Sequence, residues 1–290
     1  MTETIIAGVD FSSSKTTQHE TWLVIGKLGS LGLEILDIKK LGAHALGQEL
    51  AQHKALSTIG IDCPFSLPAD FLTFLAAKKL KKDYQNWQNI VEELIFITFE
   101  EFVELVKEYG KEPKRITDTV AGTNAFSPLH KKSPSMVEVT YYGMRLLASL
   151  APMRFFVVPF QDPIPLGCSV LEVNTRDTLK YFGLPDTGYA AKDKDDEERV
   201  KQLRHKILHT LIEIREKKGI TFKDVPRLTV PKALEHNFVN SEHALDALIS
   251  CYTISLYASQ KSLFDDPYSA DQIEVLLEGW TFRPRIAVKA

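Results

Sequence analysis

A chain of 290 residues with 44% hydrophobic and 25% charged positions can bury a large core without disulfide or metal staples, and its net charge of −3 excludes a globally basic nucleic-acid-coating protein while leaving room for a local basic face. The three cysteines, Cys63, Cys168 and Cys251, are widely spaced and form no CxxC pair, which excludes a disulfide framework and a cysteine zinc site. There is no apolar run of membrane-spanning length and no charged-then-apolar leader at the N-terminus, so the expected location is cytoplasmic, away from any membrane.

In chain order, the first predicted element is a buried strand in the apolar run from Ile5, which ends on Asp10 and passes into Phe11-Ser12-Ser13-Ser14. Thr21–Ile25 and Leu33–Ile38 are β-prone, and Gly29, Ser30 and Gly32 between them suit a hairpin. Ala43–Lys54 has helical composition. Thr58–Asp62 returns to strand, again closing on a carboxylate, followed by Cys63-Pro64. Strand, hairpin pair, helix and strand imply a mixed sheet, because a helical crossover makes parallel neighbours.

Residues 69–154 change character and read as a helical insertion or cap. Phe71, Leu72, Phe74, Leu75 and Leu80 recur at helical spacing, as do the apolar residues of Val91–Tyr109. A long irregular stretch, Thr117–Ser135, follows, then a helix over Val137–Leu150. Lys78, Lys79, Lys81 and Lys82, close to Tyr84 and Trp87, have two readings: a charge-plus-stacking surface for a nucleic acid, or the solvated face of a helix.

The sheet resumes at Phe155–Val158 and Cys168–Val173, and the second of these carries Glu172 near its end. Arg176–Phe182 is a short helix closed by Gly183. The charged run Lys192–Glu198 leads into an amphipathic helix, Val200–Lys217, capped by Gly219. Ser241–Tyr257 carries the strongest helical pattern, with Ser241 as N-cap and Ala244, Leu245, Leu248, Ile249, Tyr252 and Leu256 as a broad apolar stripe. Ile273–Leu277 and Trp280–Phe282 suggest a terminal strand or hairpin, with Trp280 as a core anchor.

Asp246 lies inside the apolar pattern of that late helix, where an unpaired carboxylate costs several kcal/mol in desolvation. His243 and Glu242, three and four residues earlier, share or border its face. If the helix crosses the strand ends, Asp246 joins Asp10, Asp62 and Glu172. Four carboxylates suit Mg²⁺ or Mn²⁺, and two such ions about 4 Å apart support phosphodiester hydrolysis. Each acid alone also has a plainer reading. Asp10 and Asp62 can be turn or cap residues, Glu172 a polar position on a half-exposed strand, and Asp246 a partner for Arg or His.

The segments Gly8-Val9-Asp10-Phe11-Ser12, Gly60-Ile61-Asp62-Cys63-Pro64-Phe65-Ser66-Leu67-Pro68, Arg115-Ile116-Thr117-Asp118, Leu171-Glu172-Val173, His243-Ala244-Leu245-Asp246-Ala247 and Glu278-Gly279-Trp280 occur in this order. With them the chain resembles domain-of-unknown-function family 429, predicted nucleases with a ribonuclease H-like, resolvase-related fold. The resemblance spans nearly the whole chain. It implies one α/β domain over residues 1–290, a ribonuclease H-like mixed sheet flanked by helices, with the helical insertion at about 69–154. It also implies a metal-dependent nuclease whose catalytic and metal-binding residues are Asp10, Asp62, Glu172 and Asp246. Candidate substrate-binding residues are Ser12, His243, Arg115 and Asp118. Arg115 either meets a phosphate as a bidentate donor or pairs with Asp118 to anchor a loop. The competing functions are an actin-like ATPase or kinase and a non-catalytic binding module. The first wants a second glycine-bearing phosphate loop and a Gly-Gly motif, and neither is present.

Overall fold

Apolar runs without polar interruption build strands buried on both faces, and two of them form the centre of the sheet. The computed structural model describes residues 3–12, 21–132, 135–150, 154–190, 196–214, 216–217, 220–221, 225–269 and 274–285. Strand β1 (Thr4–Asp10) lies between β2 (Thr21–Gly29) and β4 (Leu56–Asp62). β2 pairs antiparallel with β1 and with β3 (Gly32–Leu41). A short helix, α1 (Leu46–Gln52), carries the chain over to β4, which runs parallel to β1. Strand, hairpin, helix, strand and a mixed sheet are therefore found as expected.

The sheet continues through β6 (Cys168–Val173), parallel to β4. Two strands share the far edge of β6. β5 (Phe155–Val158) pairs with its first four residues, and β10 (Thr281–Phe282) pairs with Glu172 and Val173. At the opposite edge β9 (Leu228–Thr229) pairs with β3, so the order is β10-β6-β4-β1-β2-β3-β9. A separate two-residue pair joins β7 (Glu216–Lys217) and β8 (Ile220–Thr221).

One face of the sheet packs on α1 and on the helices of the insertion: α2 (Ala69–Lys78), α3 (Trp87–Phe96), α4 (Phe99–Tyr109) and α5 (Val137–Leu150). The sequence pattern over Val91–Tyr109 is continuous, yet the chain breaks there, because Ile97 is extended and the Thr98 hydroxyl accepts from Glu101 N at 3.1 Å to start a new helix. The lysine cluster has its solvated-face reading: Lys78 pairs with Glu108, Lys79 with Glu101 and Lys81 with Glu93. Trp87 and Tyr84 are buried, and the Trp87 indole donates to Phe65 O at 2.8 Å and stacks on Phe160. Neither ring is presented to solvent as the alternative, stacking reading requires.

The other face carries α6 (Thr175–Tyr181), α7 (Glu197–Glu213), α8 (Lys232–Asn240) and α9 (Glu242–Ser259). The sequence pattern did not disclose α8. The charged run Lys192–Glu198 and the cap at Gly219 fall largely outside the described residues. At the end of the chain Val275–Glu278 is a short helix, α10, not a strand, and β10 joins β6 in parallel, so no terminal hairpin forms. Ile273 lies outside the described residues. Trp280 packs partly buried against the second core, as expected.

Helix α9 is buried without interruption from Ala247 to Leu256, which makes it the central helix of this layer. Two glycines let it lie directly on the sheet. A Cβ on Gly8 would stand 2.0 Å from Cys251 N and 2.3 Å from Ala247 O, and one on Gly60 would stand 2.7 Å from the Ile254 side chain. Among the described residues no helix is long and apolar enough to cross a membrane.

Candidate functional site

The parallel register places Gly8 opposite Gly60 and Asp10 opposite Asp62. Side chains two apart on a strand share a face, so both carboxylates stand on the face of α9, at the carboxyl ends of β1 and β4. The close approach of α9 over Gly8 brings its first turns alongside them. His243 Nδ1 meets Asp10 Oδ2 at 2.7 Å. Asp246, one turn on, accepts from the Tyr189 hydroxyl at 2.8 Å, and Asp62 Oδ2 accepts from the Thr175 hydroxyl at 2.7 Å.

The electrostatics follow from carboxylates crowded into a dry place. Burial, and next the charge of Asp10, push the Asp62 carboxyl up to about 7, against the Thr175 hydrogen bonds. Burial pushes Asp246 well above the usual carboxylate range, and the charges of Asp10 and Asp62 add to it. Burial, then Asp246, keep the Tyr189 phenol protonated and donating. The hydrogen bond to Asp10 raises His243 to about 9, so the imidazole is a cation at neutral pH. Its side chain is 43% exposed, against 14% for Asp10, so His243 stands at the mouth of the site.

Glu172 does not join them. Its neighbour Val173 faces Gly60 and α9, and alternation along β6 turns Glu172 to the insertion side. There Arg115 grips it with Nη1 and Nη2 at 2.8 and 2.6 Å, while Phe65 N and the Thr281 hydroxyl supply two more hydrogen bonds. All five Arg115 donors are used, because Nε and Nη2 also reach Asp118 at 2.9 Å and Nη1 reaches Glu278 O at 3.3 Å. Arg115 and Asp118 are each 2% exposed. Glu172, expected among the metal ligands, is thus engaged by Arg115, and Arg115 and Asp118 take the paired, loop-anchoring form of the two readings. They form a saturated internal ion-pair hub that joins β6, β10 and the insertion.

Ser12 lies just beyond Asp10. It is buried, and its backbone is tied to Thr21, whose hydroxyl donates to Ser12 O at 3.0 Å. The sequence pattern missed Thr175 and Tyr189, which orient Asp62 and Asp246. A local signal existed for Thr175, since Asn174 caps α6 by accepting from Asp177 N and thereby fixes the turn after β6. Tyr189 comes from a loop and carries no such signal. Arg204 Nη1 donates to Tyr189 O at 2.8 Å and steadies that loop.

Three carboxylates, Asp10, Asp62 and Asp246, are a hard-oxygen donor set suited chemically to Mg²⁺ or Mn²⁺. Among the described residues no group of three or more His, Cys, Asp or Glu side chains is arranged to hold a metal ion as it stands. A cleft of about 190 Å³ opens beside Asp62, between the loop at Asn124–Phe126 and the start of α6. No protein-family model, curated protein or solved structure matches this chain.

Proposed function

We propose that the chain is a metal-dependent nuclease of the ribonuclease H-like type that hydrolyses phosphodiester bonds in a nucleic acid, with Asp10, Asp62 and Asp246 as the cation-holding carboxylates. One observation carries the reading. Asp10 and Asp62 stand in register at the carboxyl ends of adjacent parallel strands, and each adds to the raised pKa of Asp246. In open α/β sheets ligands bind at that edge. The order β3-β2-β1-β4-β6, an antiparallel meander extended by parallel strands, supports the ribonuclease H-like assignment. The Gly60–Pro68 segment supports membership of family 429.

Mg²⁺ or Mn²⁺ held by Asp10, Asp62 and Asp246 would supply water activation and charge stabilisation at the leaving oxygen. The chain's own residues do the rest. Thr175 and Tyr189 hold Asp62 and Asp246 in orientation by donating to them. His243, held as a cation by Asp10, offers a positive charge to a phosphate at the mouth. Its Nε2 lies 3.8 Å from Glu242.

The test is Mn²⁺-dependent cleavage of single-stranded, duplex and branched DNA and RNA. Wild type is expected to cut at least one of them, and Asp10→Asn and Asp62→Asn to lose about two orders of magnitude or more. Absence of cleavage throughout, or an unchanged rate in Asp10→Asn, refutes the reading. A non-catalytic binding module on the same scaffold is the second reading, favoured by the His243–Asp10 pair, which already gives Asp10 a partner. It expects nucleic-acid binding and no cleavage with any metal. An actin-like ATPase ranks below both, since Asp62 leads into Cys63-Pro64, where proline offers no N–H to a phosphate.

A further inference from the structure

We infer that the cleft beside Asp62 is a pocket for one unpaired nucleobase, so that the substrate is a single-stranded or locally opened nucleic acid. The inference rests on the nuclease reading for the identity of the polymer and adds the form in which it is recognised.

The cleft shares Asp62 with the carboxylate site, so whatever fills it lies next to the reacting bond. Its volume of about 190 Å³ is well below the ~300–1,000 Å³ of sites that enclose drug-sized ligands. A single ring system fits that space, and a base pair does not. The lining suits a flat, neutral, hydrogen-bonding ring. Phe126 is 38% exposed, unusual for a large apolar side chain next to a cleft. Its ring is backed by His130, stacked at 4.6 Å and 11°, and His130 is itself held by Glu112 at 2.7 Å. That gives a pre-set stacking platform, and base–aromatic stacking tolerates any sequence because every base has a π-face.

Two amides stand at the edges of the same cleft. Asn124 is exposed, and its side chain has no hydrogen-bond partner among the described residues. Asn174 spends its Oδ1 on Asp177 N and keeps its NH₂ donors. Carboxamides can both donate to and accept from base edges. The wall formed by Arg115, Asp118 and Glu172 has its Arg115 donors saturated, so it presents no open fork to a phosphate there. Arg176, which also lines the cleft, is held by Asp186, with Nε donating to its carbonyl at 3.2 Å and Nη2 3.8 Å from its carboxylate.

The experiment measures binding with metal removed, so that it is separate from cleavage. A short oligonucleotide carrying 2-aminopurine is titrated into the protein in EDTA, as a single strand and as a duplex. The single strand is expected to bind at least about tenfold tighter, since the duplex must unpair first. The probe's fluorescence is expected to change on binding as the base enters the pocket. Phe126→Ala is expected to weaken single-strand binding roughly five- to hundredfold, the range of one stacking contact. Phe126→Trp restores it. Equal binding of both forms, no binding of either, or wild-type binding by Phe126→Ala overturns the inference. Cleavage that treats duplex and single strand alike sinks the pocket and spares the nuclease. Selective single-strand binding without cleavage spares the pocket and sinks the nuclease.

Discussion

Gly8→Ala is the most searching single change for the architecture described here, because the added Cβ meets backbone and no side chain can turn away. The new atom would stand 2.0 Å from Cys251 N, 2.3 Å from Ala247 O and 2.6 Å from Cys251 Cα. Ordinary contact begins at 3.4 Å, so α9 must withdraw by roughly 1.4 Å. Overpacking of this kind costs about 1–3 kcal/mol, and a rigid buried helix places the cost at the upper end or beyond. For a chain of 290 residues, about 3 kcal/mol corresponds to a fall of roughly 5 °C in the thermal midpoint. Two companions calibrate the effect. Gly60→Ala meets only side-chain atoms of Ile254 and Val173, at 2.7–3.1 Å, and is expected to cost less. Gly47→Ala in α1 meets nothing nearer than 3.7 Å and is expected to stabilise by about 0.5–1 kcal/mol through helix propensity. Circular-dichroism melts of the four proteins give the order. A Gly8→Ala midpoint at or above that of Gly60→Ala would mean that α9 is not seated on the sheet as described.

Arg115→Leu strands Glu172 and Asp118 as uncompensated buried charges and is expected to cost about 3–5 kcal/mol in chemical denaturation. A loss within 1 kcal/mol of zero contradicts the hub. Asp62 supplies a pH signature. Its folded-state pKa is raised from 3.8 to about 7, so its contribution is fully present below pH 3.8 and is lost as pH rises towards 7. With metal removed, Asp62→Asn is therefore expected to be more stable than wild type at pH 8, by up to roughly 4 kcal/mol, and to flatten the decline between pH 4 and 7. Melts across that range read it directly, and an Asn variant no more stable than wild type at pH 8 rejects the buried-carboxyl reasoning.

Asp10 and Asp62 were legible because their chemistry is local. Each ends an apolar run, and adjacent parallel strands bring such ends together whatever the details. Asp246 was legible for a different reason, since a carboxylate in an apolar helical stripe needs a purpose. The setting of Glu172 was not legible because β6 is buried on both faces and so lacks the alternation that tells which face a residue takes. Its partner Arg115 lies 57 residues away, a distance at which sequence spacing carries no information. Trp87 and its neighbouring lysines kept two readings open for a similar reason. A tryptophan whose indole is spent on Phe65 O looks identical in sequence to one that faces a ligand. Tyr189, in a loop, was invisible because only the tertiary fold brings its hydroxyl to Asp246.

The edge of β6, completed by β5 for four residues and by β10 for the last two, has a consequence for biosynthesis. The hub that closes the sheet takes one donor from Thr281 and one acceptor from Glu278, while Arg115 and Glu172 are made far earlier. Once Glu172 is made, a nascent chain on the ribosome thus carries Arg115, Asp118 and Glu172 with two of their final partners still unmade. Folding domain by domain as synthesis proceeds is therefore not open to this sheet in full. Its last rungs, and with them the last two hydrogen bonds of the hub, form only after residues 278–282 have emerged.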